Sequence, residues 1–158
     1  VVVVVVAGAA GVVRAHLHAD AALAAVRPRA RQRADGARLK AFAETLLPDL
    51  GEIEVLKSRT GLVMLPMRDT AQATAFHLGE VVVSEAHISS AKVEAYGMRR
   101  GRDLEASMAM ALVDLALLTS VQTPECEAFC TREAKALHDK DIETLRRIEA
   151  TRVDMETF

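Results

Sequence analysis

Tryptophan is absent from this 158-residue chain, and aromatic residues make up only 3% of it. A core without ring systems has to be built from Ala, Val, Leu, Ile and Met, and the apolar content of 51% is ample for that. Cysteine is scarce as well. Cys126 and Cys130 are too few for a disulfide framework and suit a reducing cytoplasm. Charge of one sign is also missing: the formal net charge is -2, which argues against an unaided nucleic-acid or membrane-surface binder. The longest apolar run, Val1 to Val13, falls short of the roughly 20 residues that a spanning helix needs. No basic residue precedes it, so it reads poorly as a signal peptide and receives no functional weight.

Catalytic motifs are equally lacking. Ser84, Ser89 and Ser90 lie near Glu85 and His87, but no Gly-x-Ser-x-Gly surrounds them. Glycines 51, 61, 79, 97 and 101 are scattered and form no phosphate-binding loop. His16, His18, His77, His87 and His138 have no zinc-site spacing. His77 and His87 share strand parity about 33 Å apart in an extended chain, too far for one metal. Cys126 and Cys130, one helical turn apart, read as buried small hydrophobes rather than as a metal or redox pair. The expectation is no metal site and no catalytic residue in this chain.

What is present is an α+β pattern. Arg14 to Val26 has helical character that Pro28 interrupts. Asp35 is a plausible N-cap for a helix to about Leu47, with Leu39, Phe42 and Leu46 on one stripe and Pro48 and Gly51 as stops. Alternation predicts a strand over Glu52 to Lys57, a turn at Ser58-Arg59-Thr60-Gly61, and a returning strand Leu62 to Leu65 that Pro66 ends. A second hairpin follows, with Phe76 to Ile88 and Val93 to Met98 turning near Ser89-Ser90. Gly101 then breaks the strand. Asp103 caps a helix carrying Leu104, Met108, Leu112, Leu115 and Leu118, with Met110, Val113 and Leu117 as a second apolar flank. Thr123-Pro124-Glu125 starts another helix, and His138-Asp139-Lys140-Asp141 suggests a break before a last one. The expected fold is α+β: an antiparallel sheet of about four strands in two hairpins, packed against helices, with helical N- and C-terminal segments. Residues 1–30 are expected to be a poorly defined N-terminal segment, and 31–158 a single α+β domain with a C-terminal tail.

One cluster carries chemical interest. Arg99, Arg100 and Arg102 surround Gly101 where a strand hands over to a helix, and guanidinium groups beside helix N–H donors suit phosphate oxygens. Arg99, Arg100, Gly101 and Arg102 are therefore the candidate substrate-binding residues. The plainer alternative is a set of solvated loop arginines with Asp103 acting only as a cap.

Several segments, taken in order, resemble the PhnG family, a component of the bacterial carbon–phosphorus lyase core complex. They are Gly61-Leu62-Val63-Met64, Phe76-His77-Leu78-Gly79-Glu80-Val81, Gly101-Arg102-Asp103 with Leu104-Glu105-Ala106, the run Ala111 to Ala116, and Ala150-Thr151-Arg152-Val153-Asp154. The likeness runs from about Arg31-Gln32-Arg33 to Phe158. It departs at Ala34-Asp35, where relatives carry an aromatic residue, at His77 in place of Asn, at Leu104 in place of Lys, and at Met155-Glu156 in place of aromatics. The resemblance implies a non-autonomous component that associates with the H, I and J subunits. With the ATP-binding-cassette-like L protein, this component and the H and I subunits would support displacement of adenine from ATP by a phosphonate, giving a ribose 1-phosphonate 5-triphosphate. ATP is then a substrate of the complex, and the chain itself holds no cofactor. The nucleosidase chemistry falls mainly to the I subunit, and the radical cleavage to the J subunit, whose iron–sulfur cluster needs cysteines this chain lacks. The matching tail, Thr151, Arg152, Val153 and Asp154, is the expected partner interface. The competing readings are a scaffold that never meets substrate and a stand-alone α+β ligand-binding domain. No nucleic acid and no membrane are expected as partners.

Overall fold

The structure, a computed structural model, describes residues 30–152. Residues 30–33 are helical, and six elements follow: α1 (Gly36–Leu50), β1 (Glu54–Arg68), β2 (Ala75–Ser90), β3 (Val93–Arg100), α2 (Leu104–Leu118) and α3 (Thr123–Ala150). The sheet is antiparallel in the order β1-β2-β3, so two hairpins share the middle strand. The expected α+β architecture, with a sheet against helices and helices at both ends, is what the chain forms. The helix expected over Arg14 to Val26 lies outside the described residues.

Among the described residues the strand count is three rather than four. Ser58, Arg59, Thr60 and Gly61 do not turn; they lie inside β1, opposite Ala86, Glu85, Ser84 and Val83. Turn-forming residues lose here because β2 offers an unbroken partner through their whole length, and ladder hydrogen bonds outweigh local preference. Pro66 does not end β1 either. As an edge strand, β1 tolerates a residue without an N–H, and the register shifts between Leu65 and Pro66 to accommodate it.

The helices follow their caps. The Asp35 carboxylate accepts from the Arg38 N–H at 3.0 Å, and that of Asp103 from the Ala106 N–H at 3.0 Å. Helix α1 continues past Pro48 to Leu50, because the one backbone bond lost lies on the solvent side at Glu44 while Leu50 is buried. The first residue of α3 is Thr123, with Gln122 as its left-handed cap and Pro124 in the first turn. No break occurs at His138-Asp139-Lys140-Asp141. With no Gly or Pro after Pro124, and an Arg147–Glu143 pair one turn apart, nothing interrupts the 28-residue helix.

Packing centres on α2, which lies across the sheet with burial on several faces, as its two apolar flanks predict. The sheet surface beneath it is made of small residues: Ser84, Ala86, Ala95 and Gly97, all buried. A Cβ on Gly97 would stand 2.1 Å from the Ser107 carbonyl oxygen and 2.7 Å from the Ala111 nitrogen. Helix backbone thus rests directly on strand backbone. Leu39 and Leu46 of α1, Ile88 of β2, and Val113 and Leu115 of α2 complete the core with Cys126 of α3. Phe42 stacks on Phe129 with ring centroids 4.4 Å apart, tying α1 to α3.

Gly97→Ala is expected to destabilise the fold by more than about 2 kcal/mol, since neither backbone can yield without moving α2 off the sheet. Urea unfolding followed by circular dichroism measures this; a change below about 0.5 kcal/mol would refute the close approach.

Candidate functional site

The four candidate residues at the β3-to-α2 handover divide into two roles. Gly101 has a φ of +104°, a conformation that favours glycine, and its N–H donates to the Val82 carbonyl at 2.8 Å. Arg99 faces inward. Its guanidinium donates to the carbonyls of Arg31 at 2.7 Å and Ala34 at 2.6 Å, so it clamps the chain at 31–34 against the strand. That partial burial pulls its pKa below the usual arginine value. Arg100 and Arg102 are exposed, and their side chains make no hydrogen bond or ion pair among the described residues.

The N-terminus of α2 is already engaged. Asp103 caps it, and Lys40 Nζ reaches Asp103 at 3.0 Å and Glu105 at 2.9 Å. The Ala106 N–H that could meet a phosphate there is taken by Asp103, whose pKa is lowered first by that bond and then by Lys40.

Arg100 instead lines a cleft of ≈ 480 Å³ with Gln32, Arg33, Leu137 and Lys140. Arg33 and Lys140 lie 107 positions apart, a distance no sequence spacing bridges. Their meeting depends on a further pin that sequence reasoning missed. Arg38 donates to both Glu133 oxygens, at 2.8 and 3.0 Å, and the Asp35 N–H adds a third bond to Glu133 at 3.3 Å. The Arg38 guanidinium, and after it the Asp35 N–H, hold the Glu133 carboxyl below its ordinary pKa against the opposing effect of burial.

A second polar cluster, also missed, covers the sheet face opposite the helices. The buried Glu85 carboxylate accepts from Arg59 and from the Tyr96 hydroxyl, and His87 meets Glu94 at 2.9 Å. Tyr96 lowers the Glu85 pKa, while burial and Glu85 push that of the tyrosine above its usual range. Every acid here faces a partner, so the cluster acts as a cross-strand clamp, with no lone base poised for proton transfer. Alternation put these residues on one face, but only the register shows that they meet.

The remaining candidates are distributed. His77 is exposed on β2, His138 is exposed on α3, and His16 and His18 lie outside the described residues. Cys126 and Cys130 are buried, as their spacing suggested, and burial pushes the Cys126 thiol up to about 11. Among the described residues, no three His, Cys, Asp or Glu side chains gather as a metal ion would require. Of the tail, Thr151 closes α3 and Arg152 pairs with Glu149 at 3.2 Å, while Val153 and Asp154 lie outside the described residues.

Apolar surface is the other feature. Beyond Val83, where β3 stops pairing, β1 and β2 continue as a two-stranded ribbon out to Arg68 and Ala75. Ser84 and Ala86 point into the core, so alternation puts Val82 on the same face, with Leu62 opposite it and Met64 two residues further along β1. Past the register shift between Leu65 and Pro66, where Leu78 is the extra residue of β2, Met67 and Phe76 pair on the other face of the ribbon. Both faces of the ribbon thus carry apolar side chains past the helical cover: Leu62 is 61% and Phe76 44% exposed. A groove of ≈ 410 Å³ between α1 and α2, lined by Leu47, Leu104 and Met108, reaches the face of Leu62 at Ser58. Helix α3 also leaves the body, burying nothing beyond Glu133 and exposing Leu145 and Ile148.

The family model of the phosphonate metabolism protein PhnG matches residues 25–158. The chain belongs to the PhnG family. A search of curated proteins found no match. PhnG membership places the chain in phosphonate metabolism, and the matched region includes the arginine handover, the ribbon and the tail. Among the described residues of this PhnG chain, no helix is long and apolar enough to cross a membrane.

Two outcomes follow from the pins. Arg99→Ala leaves two carbonyls without their donor and should cost about 2 kcal/mol or more, whereas Arg100→Ala should cost under about 0.5 kcal/mol; equal shifts in thermal midpoint would contradict this division. Because the folded-state pKa of Glu133 is depressed, the unfolded state takes up its proton first. Its contribution to stability is present above about pH 4.3 and is lost as pH falls through the folded value. Glu133→Gln should flatten that part of the stability–pH curve, and an unchanged acid limb would remove Glu133 from the account.

Proposed function

We propose that this chain is an accessory, non-catalytic subunit of the carbon–phosphorus lyase system. In this reading it supports transfer of a phosphonate to ribose C1 of ATP with release of adenine. Its partners are the H, I and J subunits, joined by the L protein for the ATP step, in the cytoplasm. The observation that carries the proposal is the uncovered apolar surface of the β1–β2 ribbon, Leu62 and Met64 on one face and Met67 and Phe76 on the other. A two-stranded ribbon is marginal alone, and its exposed Leu, Met and Phe side chains gain from burial against another chain. The outer half of α3, with Ile142, Leu145 and Ile148 on one stripe, offers a second such surface leading to the tail. The internal clamps support a positioning role, because each buried acid is already neutralised by a cation or hydroxyl of the same chain.

A scaffold that never meets substrate is the second reading. The engagement of Arg99 with two carbonyls favours it, since that guanidinium is not free for a ligand.

The test is co-expression with the H, I and J subunits, pull-down through this chain, and size-exclusion chromatography. Co-elution is expected for the parent chain. Leu62→Lys and Phe76→Lys should abolish it while leaving the circular dichroism spectrum unchanged, since both side chains are exposed. Removal of residues 150–158 should weaken it. A parent chain that elutes alone would sink the proposal.

A further inference from the structure

We infer that the cleft between residues 32–33, the end of β3 and α3 is a binding site for an oligophosphate chain, held by Arg33, Arg100 and Lys140. Three cations from three separate elements line one cleft of ≈ 480 Å³, and no acidic side chain lines it with them. That volume falls in the range of small-molecule sites. Arg100 and Lys140 make no side-chain hydrogen bond or ion pair among the described residues, and Arg33 has one long contact, 3.4 Å to Asp141 on the exposed face of α3. The Gln32 amide adds an uncharged donor. Like charges brought together repel, a single long contact to Asp141 offsets only part of this, and an anion in the cleft would relieve the rest.

The arrangement is held, not incidental. Arg99 binds the Ala34 carbonyl at 2.6 Å, and its neighbour in sequence is Arg100, while the neighbour of Ala34 is Arg33. One clamp therefore brings both residues to the same cleft. On the third wall, Glu133 is pinned by Arg38 and by the Asp35 N–H. Leu137 and Lys140 follow it at four and seven residues, which is the same face of the helix. Asp35 and Glu133 line an adjoining cleft, but Asp35 caps α1 and Glu133 is taken by Arg38, so neither opposes an anion at Arg100. Arginine forks suit non-bridging phosphate oxygens, and a lysine adds a point charge farther along the chain.

The triphosphate arm of a nucleotide as the natural ligand rests on the phosphonate reading above; the anion site itself does not. The experiment is calorimetric titration of the full chain with inorganic tripolyphosphate and with ATP at constant ionic strength. Saturable tripolyphosphate binding below millimolar concentration is expected. Arg100→Gln and Arg33→Gln should each weaken it about tenfold or more, while Arg146→Gln, a cation of the outer α3, leaves it unchanged. Asp141→Asn should tighten it about twofold by freeing Arg33, a gain that no unfolding artefact imitates. Binding no tighter than that of sulfate, or equal losses in the Arg146 variant, would overturn the site. Tripolyphosphate binding without ATP binding would overturn the nucleotide assignment alone. The pull-down described above reads assembly separately, so failure of either idea is distinguishable from failure of the other.

Discussion

The contact of α2 with β3 at Gly97 is the constraint on which the other elements depend. A helix normally stands off a sheet by the length of intervening side chains. Here the Ser107 carbonyl and the Ala111 nitrogen occupy the volume that a Cβ would need. Such closeness is open only to a chain whose facing positions are Gly, Ala and Ser, and the sheet and α2 provide them from both sides. It also answers how a core with 3% aromatics reaches adequate density. Short side chains at short separation fill space as well as long ones at a longer one. Leu, Ile and Val are then needed mainly at the margins, where α1 and α3 meet the central pair.

Around that centre the helices are positioned by charge. Arg31 pairs with Asp114 at 2.9 Å, Arg38 with Glu133, and Arg99 with two backbone carbonyls. All three arginines act between residues 31–38 and distant parts of the chain, so a stretch with little apolar content is fastened by directional bonds instead. Guanidinium groups suit this, since their planar donors reach two acceptors at once. The same fastening brings Arg33 and Arg100 to the lining of one surface cleft.

Apolar surface is distributed unevenly. The body buries a core from α1, β2, α2 and α3, whereas the outer ribbon and the outer α3 leave their large apolar residues uncovered. Neither projection contributes to the core, and both lie within the region matched by the PhnG family. A chain that holds itself together at the centre and exposes Leu and Met on its extensions is organised for association, with its stability and its contacts assigned to different parts of the molecule.

Local chemistry in the sequence was enough for the caps at Asp35 and Asp103, the alternation of β2, the two-sided burial of α2, and the buried state of both cysteines. Each depends on neighbours within a few residues, where hydrogen-bond geometry and periodicity act directly. The Arg99–Arg102 cluster was visible on the same ground, but its division into an inward clamp and outward cations was not. Strand parity suggests which way Arg99 points, while the carbonyls that receive it lie 65 and more residues earlier. Ser58 to Gly61 read as a turn because those residues favour one, and only an uninterrupted β2 alongside could override them. The Glu85–Tyr96–Arg59 clamp, the Arg38–Glu133 pin and the meeting of Arg33, Arg100 and Lys140 depend on register and helix placement. Such contacts cost loop-closure entropy, which long-range packing alone offsets, and nothing in local sequence records them. The sequence by itself determined the elements and their small-residue faces. The tertiary structure decided which charges meet.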